Sequence, residues 1–224
     1  MTWILPPPPQ PSVAVQGSAA RFPVRRIFCV GRNYAEHARE MGNDPDRELP
    51  FFFCKPADAL VVSGSTLPFP PATANLHHEA ELVVALSGGG AMLSETDAPG
   101  LIFGHAAGND LTRRDLQAEA KAARRPWDMS KGFDASAPIG AIRPGPIGDA
   151  AIRCTVNGTV RQQARLHDMI WPVNAIIAHL SRLVTLAPGD LIFTGTPAGV
   201  GALEPGDRCT VEIDGLEPAT VTLA

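Results

Sequence analysis

LHHEAELVVAL, residues 76–86, alternates regularly enough to read as a β-strand, and the fold follows from how many neighbouring segments read the same way. Successive strand side chains point to opposite faces. His77, Glu79, Glu81, Val83 and Ala85 therefore share one face, and His78, Ala80, Leu82, Val84 and Leu86 the other. The face led by His77 begins polar, and the face led by His78 is largely core in character. Upstream, RRIFCVG (25–31) reads as a short buried strand, and NYAEHAREMGND (33–44) as a helix-forming run closed by Gly42 and Asn43. LPFFFCKPADALVV (49–62) and STLPFP (65–70) are strands or extended segments interrupted by prolines, and LIFGHAAGND (101–110) is a strand running into a loop.

Helices are few. One is expected over TRRDLQAEAKAARR (112–125), closed by Pro126. A second spans roughly 172–183, where Val173, Ile176, Ile177, Leu180 and Leu183 form a core-facing stripe. From DLIFTGTPAGVG (190–201) to CTVEIDGLEPATVTL (209–223) the chain reads as strands joined by glycine and proline turns, and no internal repeat is visible. The expected fold class is therefore α+β, a β-rich domain, since regular β/α alternation is missing. Composition agrees: 21 glycines and 22 prolines make up roughly a fifth of the 224 residues, against about 12% in average usage. A length of 224 residues suits one sizeable domain, expected over 21–224. It follows a proline-rich arm over 1–20 that cannot hold a regular helix, reads as an extended arm or a short edge strand, and is expected to carry no chemistry.

A net charge of −4 with no long run of either sign argues against nucleic acid or an acidic membrane as partner and favours small molecules. No apolar stretch approaches the roughly 18 residues of a membrane helix. The start MTWILPPPPQP lacks a basic leader, so a cytoplasmic protein is expected. Cys29, Cys54, Cys154 and Cys209 are scattered without C-x-x-C spacing, which points to buried thiols rather than a disulfide scaffold or zinc knuckle.

Several residues could carry chemistry. Glu79 and Glu81, two apart on a strand, point the same way, and no lysine or arginine is near them in sequence. Their mutual repulsion should raise at least one pKa unless something positive sits between them. A hard divalent cation such as Mg²⁺ meets that need, and Asp110, in a glycine-flanked loop, could reach the same ion. The pair would fit the solvated face of an edge strand equally well. His77 and His78 lack H-E-x-x-H spacing, and neither is expected to be a ligand. His37 and Glu40, three apart on a helix, have the spacing of a carboxylate-oriented general base, although Glu36, Arg39 and Glu40 could simply exchange surface ion pairs. Lys131, among small and apolar residues, could reach inward as a positive electrophile or lie on the surface. TGTPAGVG (194–201) has no G-K-[ST] ending; its N–H groups could cradle a carboxylate or form a plain turn. Residues 42–49 are polar and proline-containing, which makes them a candidate lid.

The order and wording of these segments together carry more than any one of them. GRNYAEHAREMG (31–42), FFFCKPADALV (51–61), LHHEAELVVAL (76–86), GNDLTRRDLQAEAKAARRPWDMSKGFDASAPIG (108–140), VNGTVRQ (156–162) and DLIFTGTPAGVG (190–201) resemble the fumarylacetoacetate hydrolase family, in particular its short acylpyruvate hydrolase branch. The resemblance implies a β-rich mixed α/β roll, usually dimeric, that binds Mg²⁺ or Mn²⁺. It implies Glu79, Glu81 and Asp110 as metal ligands, a His37–Glu40 dyad with Lys131 in catalysis, and Arg114, Gln117, Lys131, Gly195 and Thr196 in contact with substrate. Longer members look to a further aspartate seven residues before the histidine, where this chain has Val30. The implied activity is hydrolytic C–C cleavage of an acylpyruvate, with wording nearest to enzymes acting on fumarylpyruvate. The alternatives are decarboxylation of oxaloacetate, isomerisation of a dienedioate, or a non-catalytic metal-binding interaction domain.

Overall fold

Alternation in the central strands feeds two cores at once. In the computed structural model, which describes residues 2–40 and 49–224, the strand Ala80–Leu86 lies inside an eight-stranded mixed sheet and is buried along its whole length. Ala80, Leu82, Val84 and Leu86 enter one core, whereas Val83 and Ala85 enter the other. Flanking strands obey the same rule: Phe28 and Val30 oppose Ile27 and Cys29 in Arg26–Gly31, and Ile192 opposes Leu191 and Phe193 in Asp190–Phe193. The solvated edge-strand reading is thereby overturned: a sheet covered on both sides leaves Glu81 no wet face, and Glu79, just before the strand, is buried as well.

Along the sheet the order is Phe51–Lys55, Arg26–Gly31, Asp190–Phe193, Ala80–Leu86, Ile102–Asn109, Ala137–Ile139 and Leu60–Val62, with Arg143–Pro144 also paired to Ile102–Asn109. A second sheet of five strands supplies Ile152, Val211 and Val221 to the first core, and the helix Val173–Ser181 adds Ile176, Ile177 and Leu180. That helix ends before Leu183, which is 68% exposed, so the expected stripe is one residue too long. The second core is closed by a hairpin of Ser12–Ala14 on Arg21–Pro23, through Val13, Val15 and Phe22. Architecture and class are as expected: sheets dominate, with few helices packed on them.

Two local departures position the site. The strand expected over 76–86 breaks at Glu79: Leu76–His78 joins a separate three-stranded sheet with Thr112–Arg113 and Gly201–Leu203. At the break, the Glu79 N–H donates to Asn109 Oδ1 at 3.0 Å, and its carbonyl accepts from the Asp110 N–H at 2.9 Å. Gly108, opposite Glu81, admits this close pairing, since a Cβ there would lie 2.5 Å from Val83 Cγ2. The helix expected over 112–125 is the shorter Arg114–Ala122. Thr112–Arg113 is taken by a strand, and Arg124 adopts φ 53° and wraps the chain back, its N–H donating to the Lys121 carbonyl and that of Arg125 to the Ala120 carbonyl.

Among the described residues no helix is long and apolar enough to cross a membrane. Cys29, Cys154 and Cys209 are buried as expected, but Cys54 is exposed on the outer strand Phe51–Lys55. The lid expected over residues 42–49 falls outside the described residues except for Leu49, which is exposed.

Candidate active site and metal centre

Strand geometry brings three acids to one point. Glu79 at the strand break, Glu81 two residues on and Asp110 at the end of Ile102–Asn109 are 5%, 1% and 0% exposed, and one carboxylate oxygen from each lies within 4.8 Å of the others. Cations distant in sequence surround them, so the positive charge that the paired glutamates call for is supplied in part by the fold, Lys131 reaching inward among them. Lys131 Nζ sits 2.7 Å from Glu79 Oε2, 2.7 Å from Asp110 Oδ2 and 2.6 Å from Thr112 Oγ1. Lys55 Nζ lies 2.8 Å from Asp110 Oδ1 and donates to the backbone carbonyls of Leu111 and Lys131. Arg114 pairs with Glu79 Oε1 and donates to Gln117 Oε1 at 2.6 Å. Glu81 Oε2 instead accepts the Gly195 N–H at 2.8 Å.

This asymmetry splits the acids. Burial alone would push the Glu79 carboxyl up, but the Lys131 and Arg114 charges, then His37, outweigh it and hold it below the usual carboxylate range. Glu81, with no ion-pair partner among the described residues, is pushed well up by burial and then by the Asp110 and Glu79 charges. Burial would pull the Lys131 ammonium down, yet Asp110 and Glu79 raise it on balance. The sequence reading that at least one carboxyl is raised thus holds for Glu81 alone.

All three acids are hard oxygen donors, and buried Asp110 Oδ1 makes no hydrogen bond among the described residues although Lys55 lies close. That donor set fits a divalent cation of the Mg²⁺ or Mn²⁺ kind.

His37 is 5% exposed and lines the same pocket, so its helix, Ala35–Glu40, is no plain surface helix. Arg39 and Glu36 do form an exposed ion pair on that helix, as the surface reading expected, and the Glu40 side chain lies outside the described residues. Val30, Arg114, Gln117, Lys131 and Thr196 also line the pocket, and Gly195 reaches it through Glu81. The fold thus gathers Glu79, Glu81, Asp110, Lys131, His37, Arg114, Gln117, Gly195 and Thr196.

Local sequence carried little signal for several further groups. Lys55 is buried at the end of an apolar strand, where its charge in FFFCK was the only hint. Tyr34 is buried with no hydrogen bond to its hydroxyl among the described residues, its phenol pushed up by burial and then by Glu81. The inner space, about 30 Å³, shares Arg32, Phe51, Phe53, Trp127 and Lys131 with an outer cavity of about 570 Å³. At this mouth the Arg32 guanidinium stacks 4.8 Å from the Phe51 ring centre, and Lys121 Nζ lies 5.4 Å from that of Trp127.

Residues 26–224 match the family model described as fumarylacetoacetate (FAA) hydrolase C-terminal. A fumarylpyruvate hydrolase of Ralstonia sp. is 42% identical over 188 residues, which cover 82% of this chain and 98% of that protein. An oxaloacetate tautomerase of Escherichia coli (strain K12) is 38% identical over 205 residues, 89% of this chain and 93% of that protein. In structure, the chain superposes on the fumarylpyruvate hydrolase of Pseudomonas aeruginosa, solved in complex with Mn²⁺ and pyruvate, with a TM-score of 0.96 at 48% identity, covering 100% of this chain and 99% of that one.

Proposed function

Because the chain belongs to the fumarylacetoacetate hydrolase family, we propose that it is a metal-dependent hydrolase of acylpyruvates, with fumarylpyruvate as substrate and fumarate and pyruvate as products. The observation that carries this reading is the juxtaposition of buried His37 with the Glu79–Glu81–Asp110 cluster in one pocket whose mouth holds the cations Arg32 and Lys121. A substrate anionic at both ends suits a pocket with a set of metal ligands at one end and cations at the other. The likeness to fumarylpyruvate hydrolases at 42% and 48% identity supports it.

Glu79, Glu81 and Asp110 would hold the Mg²⁺ or Mn²⁺ ion, which when bound supplies Lewis-acid polarisation of the substrate's oxygens. His37 takes a proton from water as general base, with Glu40 three residues on as the residue to orient it. The hydroxide equivalent adds to the acyl carbonyl, and the Lys131 ammonium stabilises the charge that develops on its oxygen. The C–C bond then breaks, its electron pair leaves on the pyruvate side as an enolate, and a proton returns to that carbon. Arg114, Gln117, Gly195 and Thr196 hold the pyruvyl carboxylate end. Arg114 stands beside Glu79 and Gln117 at the metal-ligand end of the pocket, so the far carboxylate falls to Lys121 at the mouth. The same proposal places the enzyme in the cytoplasm as a homodimer.

The test is metal-dependent loss of the enol absorbance of fumarylpyruvate, with products counted at the end. Equal amounts of fumarate and pyruvate are expected, abolished by chelator and restored by Mg²⁺. The His37→Ala enzyme should lose about 10²–10⁴ in kcat. The 38% identity to an oxaloacetate tautomerase favours a second reading, in which the same groups move a proton on oxaloacetate. Turnover of oxaloacetate with fumarylpyruvate left intact would establish that reading instead.

A further inference from the structure

Gln162 is the one buried residue of an otherwise exposed or half-exposed outer strand, Thr159–Arg165. A register shift between Cys154 and Thr155 on the partner strand leaves Arg161 without an opposite number and sets Gln162 across from Cys154. The loop after Thr196 packs tightly on this strand, because Gly199, at φ 91°, stands where a Cβ would lie 2.3 Å from the Arg161 carbonyl oxygen.

The hydrogen bonds of Gln162 admit a single orientation of its amide. Its Oε1 is 3.0 Å from the Ala80 N–H, which can only donate, and its Nε2 is 2.7 Å from the Pro197 carbonyl, which can only accept. The second Nε2 hydrogen goes to Thr196 Oγ1 at 2.8 Å. Thr196 is therefore the acceptor in that bond, and its own hydrogen must point elsewhere. At the far end, His78 Nδ1 lies 2.9 Å from the same Oε1 and must be the protonated nitrogen. The result is a one-way chain: His78 donates to Gln162, Gln162 donates to Thr196, and Thr196, 3% exposed and lining the pocket, retains one hydrogen to give.

We propose that Gln162 is a positioning residue, which fixes the Thr196 hydroxyl so that its hydrogen is presented to the carboxylate of the bound 2-oxo acid. This rests on the acylpyruvate reading only in taking the bound anion to be a 2-oxo acid. Gln162→Glu is the informative change: it keeps the volume and both acceptor contacts, but a carboxylate cannot donate, so the Thr196 hydroxyl turns round to donate to it and its hydrogen leaves the pocket.

The experiment titrates pyruvate into the Mg²⁺-loaded enzyme by calorimetry and sets KM against kcat for the acylpyruvate. Thr196→Val should weaken pyruvate binding about ten-fold, the worth of one hydrogen bond to a charged group, with Thr196→Ser restoring it. Gln162→Glu should weaken binding by a similar factor through KM rather than kcat, and the double variant should be no weaker than either single one. Multiplying effects would reduce Gln162 to a structural residue and overturn the proposal. Unchanged pyruvate binding in Thr196→Val would overturn it even if Gln162→Glu failed to fold. Binding of pyruvate without turnover of fumarylpyruvate would break the substrate assignment and leave this inference standing, whereas no binding of pyruvate by the unaltered enzyme would remove both.

Discussion

The floor and the mouth of the pocket both carry positive charge, yet they are built by opposite means. At the floor, Lys55 and Lys131 are 2% exposed and each is neutralised by a carboxylate within 2.8 Å. At the mouth, Lys121 is exposed and has no ion-pair partner among the described residues, only the face of Trp127. Burial, with Arg114 and Arg32 as like charges, holds its pKa down. A buried cation matched by fixed anions is part of the fold, because removing it leaves an uncompensated charge. An exposed, unmatched one contributes little to folding and remains available to an incoming anion.

Replacing each lysine with methionine separates the two regions most sharply. Lys55→Met removes the Nζ that faces Asp110 Oδ1 and two backbone carbonyls, and breaking such a buried pair should destabilise the protein by about 3 kcal/mol or more. Lys121→Met should stay within about 0.5 kcal/mol of the parent, as surface changes generally do. Urea unfolding of both variants, read at constant slope, decides it. Equal midpoints would mean that the floor network is no more structural than the mouth.

The two regions also differed in how far the sequence revealed them. Glu79, Glu81, Asp110, His37 and Lys131 were legible because their spacing and surrounding words are distinctive together. Lys55 was not, since a lysine ending FFFCK resembles the polar end of a strand until Asp110, 55 residues on, is packed against it. The period-two reading of 76–86 correctly placed both glutamates together, but it could not foresee the break at Glu79, which depends on Asn109 and Asp110 from another strand. Helix ends failed for a local reason: Arg124 takes a left-handed turn where glycine is the usual choice, so nothing in the composition of 112–125 marks the stop. Of the mouth, the sequence reading named neither Arg32 nor Lys121. That Arg114 stands beside Glu79 and Gln117, and that Lys121 is unmatched, is visible only after folding.

Lys121→Met sharpens the contrast on the functional side. If the mouth receives the second carboxylate of the substrate, KM for fumarylpyruvate should rise about ten-fold, as for the loss of one charge-assisted contact. KM for acetylpyruvate, which ends in a methyl group there, should hardly move. Steady-state kinetics on the two substrates with one enzyme preparation give the answer directly. A parallel rise for both would show that Lys121 acts on the common pyruvyl end, and the division of labour between floor and mouth would be lost.

A subtler consequence lies within the floor itself, between Glu79 and Glu81. Glu79 has its folded pKa lowered, chiefly by Lys131 and Arg114 against the effect of burial, so its contribution to stability is present above the unfolded value of about 4.3 and is lost as pH falls through the folded value. Glu81 has the opposite sign: with its folded pKa raised by burial, Asp110 and Glu79, its contribution is full below about 4.3 and is lost as pH rises through the folded value. A divalent cation needs both groups as carboxylates. Chelator-stripped enzyme should therefore release about one proton per Mg²⁺ bound wherever the pH lies below the raised Glu81 value, and affinity should rise with pH over that range. Calorimetry over a series of pH values, each in two buffers of different ionisation enthalpy, counts the proton. Identical heats in both buffers would mean that Glu81 is already ionised before the ion arrives, and the asymmetry between Glu79 with its cations and Glu81 with only a backbone N–H would have no consequence for metal loading.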